Sequence, residues 1–147
     1  MFVGQAMDHT IREQLANARK VVIVSHIRPD GDAVGSALAF GNALREVGKE
    51  IQCVLQDGVA ERYRYLPGAR EVTSEVSLDY DYLIVVDSAD SYRVGTVLDA
   101  LPKPDLVVDH HKTHIDFGKI DYVEAESEAT ALLLTTKLPD WGLPVSK

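Results

Sequence analysis

The sequence predicts an α/β fold of three layers, with a mainly parallel sheet flanked by helices. First, short continuous apolar runs recur, as is typical of strands buried on both faces of a parallel sheet. The clearest are Val21–Val24, Tyr82–Val86 and Leu106–Val108. Second, helical patterns alternate with these runs, as in βαβ units. Third, all three runs lead into acidic or histidine-rich residues, and ligands of open α/β sheets bind beyond the carboxyl ends of the strands.

Composition favours one globular domain and argues against several functional classes. The 147 residues are 46% hydrophobic, with a formal net charge of −8, which predicts one domain over residues 1–147. An acidic chain is not expected to hold long duplex nucleic acid on a broad basic surface. No apolar stretch is long enough to span a membrane, and no secretory signal pattern is present, so we expect a cytoplasmic protein. Cys53 lies in an apolar run and is predicted to be a buried hydrophobe rather than a reactive thiol.

The first part of the chain predicts a helix followed by one βαβ unit. The helix begins near Thr10, which opens a capping-box pattern. Strands are predicted at Lys20–Ser25 and Ile51–Leu55, joined by a helix over Val34–Val47 that Gly48 ends. We expect the crossover between the two strands to be right-handed.

The second part is less regular at first and then returns to strands and a helix. Between Gln56 and Leu78 the pattern indicates a short helical turn near Tyr63 and an extended segment or short strand at Val72. Three more strands are predicted at Tyr82–Asp87, Leu106–Asp109 and Ile120–Val123. Ser127 is expected to cap a final helix, which Pro139 ends.

The loop after the first strand holds three candidate ligands, His26, Asp30 and Asp32. The two aspartates lie two residues apart around Gly31, a spacing that can aim both carboxylates at neighbouring points. The alternative is a polar turn in which one of the aspartates caps the next helix. A histidine in the position of His26 is also often a strand-end residue bonded to the backbone. Both interpretations remain open for this loop.

Aspartates after other strands differ in their surroundings. Asp87 directly follows the apolar run at Tyr82–Val86, although a lone aspartate there often caps a turn. Asp57 also follows a strand, but it belongs to an Asp-Gly turn dipeptide with no histidine nearby, so we exclude it from the site. Asp90 is predicted to be a cap or a surface residue.

Asp109, His110 and His111 form the least ordinary motif of the chain. Adjacent side chains point in different directions, so one imidazole can bind metal while the other faces a substrate. The preceding acid can accept a hydrogen bond from an imidazole N–H and thereby hold its orientation without binding the metal. A chance histidine pair in a solvated loop is the alternative.

Together, these clusters predict a metal centre at one sheet edge. Its donors are nitrogen and oxygen without sulfur, which favours Mn²⁺, with Mg²⁺ as the alternative, over structural zinc. Two metal ions about 3.5–4 Å apart, bridged by a carboxylate, are typical of enzymes that hydrolyse phosphoesters.

The segment from His26 to Ser36, then Asp87, then Asp109-His110-His111, resembles the first three motifs of the DHH phosphoesterase family. The resemblance extends from about residue 20 to 138. It is strongest to RecJ-like bacterial members that degrade very short oligoribonucleotides and dephosphorylate 3′-phosphoadenosine 5′-phosphate. It implies a metal-dependent phosphoesterase domain acting on a small phosphorylated substrate, and it leaves a homodimer open.

The resemblance also implies individual roles. His26 and Asp30 would bind one metal ion, Asp32 and His110 the other, and Asp87 both. His111 would contact the scissile phosphate or protonate the leaving oxygen. The backbone after Asp32, at Gly35 and Ser36, would support the loop, with the glycine permitting close approach.

Two departures from the family pattern affect these expectations. His114 stands where many relatives carry asparagine, so its role stays open. The family's fourth acidic motif and its smaller substrate-binding domain are expected beyond this stretch, and Asp140 comes too early to be that motif's ligand. We therefore expect the front part of a longer enzyme. The alternative function is a metal- or nucleotide-binding module without turnover.

Overall fold

The computed structural model describes residues 3–145 and confirms the α/β fold. All paired strands are parallel, in the order β2-β1-β3-β4-β5. The strands are β1 (Lys20–Val24), β2 (Glu50–Val54), β3 (Tyr82–Val86), β4 (Leu106–Asp109) and β5 (Ile120–Val123). The α-helices are α1 (Val3–Asn17), α2 (Gly31–Glu46) and α3 (Thr130–Asp140).

The strand order places a topological switch point between β1 and β3. From β1 the chain runs through α2 to β2 on one side, and then returns to β3 on the other side of β1. Crevices at such switch points, outside the carboxyl ends of the strands, are where open α/β sheets bind ligands. The loops after β1, β3 and β4 all leave the sheet at that edge.

Side chains of alternate strand residues pack into two separate apolar clusters. Val21 and Ile23 belong to a cluster that also contains Leu15 of α1, Phe40 of α2 and Leu134 of α3. The opposite face packs differently, because its partners come from loops and 3₁₀ turns. This second cluster includes Val22, Val24, Leu83, Val85, Val94, Val97, Leu98 and Phe117. Helices therefore form one covering layer, and irregular segments with short 3₁₀ turns form the other.

Two predicted helix starts are wrong. Helix α1 begins at Val3, and Thr10 lies in its interior, where its hydroxyl donates to the Ala6 carbonyl at 3.1 Å instead of capping. Helix α3 begins at Thr130, and its N-cap residue Ala129 offers no side-chain cap. The Ser127 hydroxyl donates to the Ala129 carbonyl at 2.9 Å, so it is not the predicted cap. Capping residues are common away from helix starts, and sequence pattern alone does not separate the two cases.

Smaller boundary differences have local causes. Helix α2 begins at Gly31, three residues before the predicted start, because Asp30 caps it by accepting from the Ala33 N–H at 3.0 Å. Pro139 lies inside the last turn of α3, one residue before its end. Val72 is extended, and the next residue, Thr73, forms an isolated bridge with β2.

Cys53 is buried in the core, as predicted, and its Sγ lies 3.5 Å from the Ala37 carbonyl oxygen. Burial raises the pKa of this thiol to about 12, so it stays protonated at neutral pH. None of the helices in residues 3–145 is long and apolar enough to cross a bilayer.

Candidate metal centre

The five predicted metal ligands converge at the carboxyl edge of the sheet. His26 and Asp30 follow β1, Asp87 follows β3, His110 follows β4, and Asp32 lies in the first turn of α2. The convergence arises because neighbouring parallel strands end at the same edge, which brings residues 26, 87 and 110 together.

Asp87 lies at the centre, with one oxygen toward each side of the site. Its Oδ2 is 3.5 Å from His26 Nε2, and its Oδ1 is 3.5 Å from His110 Nε2. Asp30 Oδ1 is 3.8 Å from the same His26 nitrogen, whereas Asp32 Oδ2 is 3.4 Å from the same His110 nitrogen. The donors therefore divide into two groups that share only Asp87.

The backbone and burial of Asp87 are unusual. Its φ of +59° lies in the left-handed region, which an aspartate enters at some energetic cost. Its side chain is only 2% exposed. Burial raises the pKa of this carboxyl, hydrogen bonds from His26 and Thr130 oppose the rise, and the nearby charge of Asp32 adds to it. A buried carboxylate beside another one is the environment that a divalent cation stabilises.

In His26 and His110, a contact with a backbone carbonyl determines which imidazole nitrogen is available to another partner. His26 Nδ1 lies 2.6 Å from the Ile27 carbonyl oxygen, and His110 Nδ1 lies 3.1 Å from that of Ser127. Because a carbonyl oxygen only accepts, Nδ1 carries the hydrogen, and Nε2 is the ring nitrogen available to a metal ion. A hydrogen bond from the second ring nitrogen is the usual arrangement of metal-binding histidines.

Asp32 has a second partner that sequence reasoning missed. Its Oδ2 accepts the Thr130 N–H at 3.0 Å, and its Oδ1 accepts the Ala131 N–H at 2.8 Å. Asp32 thus caps α3 from another element, in place of the cap predicted from Ser127. The Thr130 hydroxyl also donates to Asp87 Oδ1 at 3.0 Å, so the start of α3 contacts both carboxylates.

Asp30 and Ser36 lie beside the site and also make hydrogen bonds at the start of α2. Asp30 caps α2, as the polar-turn alternative predicts. Its side chain is largely exposed and lies beside His26. The buried Ser36 hydroxyl donates to Asp32 Oδ1 at 3.2 Å. The close approach expected at Gly35 is wrong, because an added Cβ there would meet nothing within 4 Å.

Asp109 contacts two imidazoles, neither of which belongs to His110. Its Oδ1 lies 2.6 Å from His111 Nδ1, and its Oδ2 lies 2.7 Å from His114 Nδ1. His114 Nε2 in turn lies 3.0 Å from Asp121 Oδ1. We name the four residues His111, Asp109, His114 and Asp121 the acid–imidazole series. Asp121 lies in β5 and carries no sequence signal that separates it from an ordinary strand aspartate.

The aspartates left out of the site lie outside these donor groups. Asp57 Oδ2 accepts the backbone N–H of Arg28 at 2.7 Å, and Arg28 has a φ of +50°. Asp57 therefore supports the loop that carries Asp30. Asp90 Oδ1 accepts the Arg93 N–H at 3.0 Å beside a short 3₁₀ turn whose N-cap residue is Ser91. Asp140 is the last residue of α3, where its carboxylate lies 3.4 Å from Lys137 Nζ.

A cavity of about 550 Å³ opens beside the donor groups. Its walls combine candidate site residues with two arginines and a tyrosine. They are His26, Ile27, Arg28, Asp30, Asp90, Tyr92, Arg93 and His111. The Ile27 N–H donates to the Arg93 carbonyl at 2.7 Å and so joins the loops after β1 and β3 at this cavity.

The donors fit a metal ion in type and in arrangement. One possible ligand atom from each of His26, Asp30 and Asp87 lies within 4.8 Å of the others. The same holds for Asp87, His110 and His111, a set that includes the predicted catalytic histidine and does not include Asp32. Imidazole nitrogen and carboxylate oxygen without thiolate suit Mn²⁺ or Mg²⁺.

Comparison with known proteins identifies one family model and several similar proteins. The family model "DHH family, N-terminal domain" matches residues 20–139. The bifunctional oligoribonuclease and PAP phosphatase NrnA of Thermus thermophilus is 34% identical over 118 residues, 78% of this chain and 35% of that protein. The cyclic-di-AMP phosphodiesterase GdpP of Geobacillus thermodenitrificans is 27% identical over 155 residues, 92% of this chain and 23% of that protein.

A solved structure shows the same fold. The exopolyphosphatase-related protein from Bacteroides fragilis superposes with a TM-score of 0.84 at 24% identity, over 94% of this chain and 44% of that one. The chain spans about a third or less of the length of the two curated relatives named above. The match to the N-terminal-domain model of this family covers most of the chain, including every candidate metal ligand, and the chain therefore belongs to the DHH family.

Proposed function

We propose that this chain is a metal-dependent phosphoesterase domain that hydrolyses small nucleotides or short oligonucleotides with two metal ions. The observation that carries the proposal is Asp87, whose two oxygens face different histidines at 3.5 Å each. One carboxylate between two otherwise separate donor groups is what a bridged two-metal site requires.

In this proposal, His26 and Asp30 would hold one metal ion, Asp32 and His110 would hold the other, and Asp87 would contribute to both positions. Mn²⁺ is the preferred ion because imidazoles take part, with Mg²⁺ as the alternative. Bound divalent ions would supply charge neutralisation on the phosphoryl group and a water molecule with a lowered pKa.

His111 is the proposed catalytic residue. Its Nδ1 is engaged by Asp109, so Nε2 is the nitrogen left to meet a substrate. His111 also lines the cavity beside the donor groups. From there it would contact the phosphate or give a proton to the leaving oxygen.

The cavity supports a small phosphorylated substrate. Arg28 and Arg93 offer guanidinium groups, which bind phosphate oxygens in pairs. Tyr92 is strongly exposed at the same place, where its ring can stack on a base. The names of the relatives, an oligoribonuclease and a cyclic-dinucleotide phosphodiesterase, agree with this substrate class.

The test is hydrolysis of bis(p-nitrophenyl) phosphate and of a dinucleotide by the purified chain with added Mn²⁺. We expect weak turnover, barely above background, which Asp87→Ala abolishes and the exposed control Asp79→Ala leaves intact. Mn²⁺ binding and nucleotide binding without turnover would support the alternative, a binding module. The absence of Mn²⁺ binding would overturn both.

A further inference from the structure

His114 is a buried imidazole between two carboxylates, and the proposed reaction does not use it directly. Its side chain is 4% exposed, and Asp109 on one side is 0% exposed. Asp121, on the other side, accepts the backbone N–H groups of Phe117 and Gly118 at 3.0 Å each. These hydrogen bonds fix the position of the Asp121 carboxylate beside His114.

The contacts of His114 specify its protonation. An ionised carboxylate only accepts hydrogen bonds, so an imidazole nitrogen within about 3 Å of one carries the hydrogen of a hydrogen bond. Both nitrogens of His114 face carboxylate oxygens, at 2.7 Å and 3.0 Å. Burial lowers the pKa of His114, but the hydrogen bonds to Asp121 and Asp109 outweigh that effect and raise it. His114 is therefore an imidazolium that donates from both nitrogens.

His114 is the charged partner of Asp109, whose side chain is fully buried. A buried carboxylate is costly unless a charged or hydrogen-bonding partner compensates it. His114 provides the charge at Oδ2, which leaves Oδ1 to accept the Nδ1–H of His111 at 2.6 Å.

We propose that His114 and Asp121 are positioning residues for His111, acting through Asp109. They hold Asp109 so that His111 keeps its hydrogen on Nδ1 and presents Nε2 to the substrate. The proposal rests on the proposed function, in which His111 meets the phosphoryl group or the leaving oxygen. The tautomer and ring orientation of His111 are separate properties that can be measured without any reaction.

Asp116 provides a matched control within the same loop. Its Oδ1 lies 3.6 Å from His114 Nε2, farther than Asp121, and its side chain is 80% exposed. Such a pair is screened by water and contributes little. Asp116→Asn thus removes a nearby charge without interrupting the acid–imidazole series.

The direct test is ¹⁵N–¹H NMR of the histidine rings in the metal-free chain of residues 1–147. In the wild type we expect two protonated ring nitrogens on His114, and the Nδ1–H tautomer on His111. His114→Leu should convert His111 to a mixture of tautomers. His114→Asn keeps one amide donor for Asp109 and should preserve the Nδ1–H form, as should Asp116→Asn.

Circular dichroism reports whether each variant folds. If His114→Leu does not fold, Asp121→Asn is the second variant, because it removes the carboxylate at the far end of the series and should shift the His111 tautomer in the same direction. An unchanged Nδ1–H tautomer in a folded His114→Leu or Asp121→Asn protein would overturn the proposal. A neutral His114 in the wild type would overturn it as well.

Kinetics with a dinucleotide and Mn²⁺ supply the second measurement. We expect His114→Leu to lower kcat by roughly 10–100-fold with little change in KM, and His114→Asn to recover part of that loss. Equal kcat values for the two variants would count against positioning. An inactive wild type would contradict the proposed function alone, because the NMR result still decides the positioning role.

Discussion

The backbone N–H of Thr130, the first residue of α3, donates a 3.0 Å hydrogen bond to Oδ2 of Asp32, which lies 98 residues earlier in the first turn of α2. The same oxygen lies 3.4 Å from His110 Nε2. One carboxylate therefore serves the start of a helix and the candidate metal centre at once. A negative charge at the N-terminus of a helix also stabilises the helix through its dipole.

The first prediction concerns this shared carboxylate. Asp32→Ala should lower the free energy of unfolding by about 1–2 kcal/mol even without metal, because α3 loses its cap. Urea denaturation in the presence of a chelator measures the change. Glu128→Ala is the control, since this exposed side chain lies near the start of α3 without capping it. Equal stability of the two variants would show that Asp32 does not support α3.

The second prediction separates the two halves of the metal centre. Mn²⁺ should raise the thermal stability of the wild type, because it binds the folded site and relieves repulsion between carboxylates. Asp87→Ala should weaken both metal positions, whereas Asp32→Ala should weaken mainly the one with His110. Titration calorimetry gives stoichiometry and affinity. If Asp87→Ala kept the wild-type values for both, the bridging role of Asp87 would be wrong.

The third prediction is that Mn²⁺ affinity decreases as the pH is lowered. The decrease should start at a pH above 6.5. A hydrogen bond to Asp87 raises the pKa of His26 above its ordinary value of 6.5, and only the neutral imidazole binds metal. Protons therefore compete with Mn²⁺ over a range that starts at a higher pH than for an unperturbed histidine. Calorimetry between roughly pH 5.5 and 8 checks this. A constant affinity over that range would mean that the histidines are not ligands and that carboxylates alone bind the metal ion.

The fourth prediction uses the raised pKa of His114. A group whose pKa is higher in the folded state stabilises that state fully below its unfolded pKa of about 6.5, and loses the contribution as pH rises through the folded pKa. The stability advantage of the wild type over His114→Asn should thus be greatest near pH 6 and shrink at higher pH. Denaturation curves at several pH values measure the difference. A difference that stayed constant or grew with pH would contradict the imidazolium assignment.

The fifth prediction concerns the cavity beside the donors. Arg28→Gln and Arg93→Gln should each raise KM for a short oligonucleotide by roughly 10–100-fold, because a charge-assisted contact with phosphate contributes roughly 1.5–3 kcal/mol. Arg64→Gln, in an exposed segment that does not line this cavity, is the control. Steady-state kinetics with Mn²⁺ provides the values. If all three variants had the wild-type KM, the substrate would not use these arginines.

Local pattern was sufficient to predict the strands and to place the candidate residues that directly follow them. β5 has the predicted limits, β1 and β3 each end one residue before the predicted boundary, and β4 has the predicted limits. Apolar runs mark such strands because both of their faces must be buried. Helix starts were harder to predict, because Thr10 and Ser127 have capping side chains but use them for other local hydrogen bonds.

The sequence by itself determined the parallel sheet and the presence of His26, Asp87 and His110 at one edge, since strand ends in a parallel sheet coincide. Only the tertiary structure decided that Asp32 caps α3 and that His114 lies between Asp109 and Asp121. The Asp32 contact joins residues nearly a hundred positions apart, and Asp121 reaches His114 only because β5 pairs beside β4. Neither contact leaves a periodic pattern in the chain, because each depends on how the elements pack and not on the local conformation of the residues.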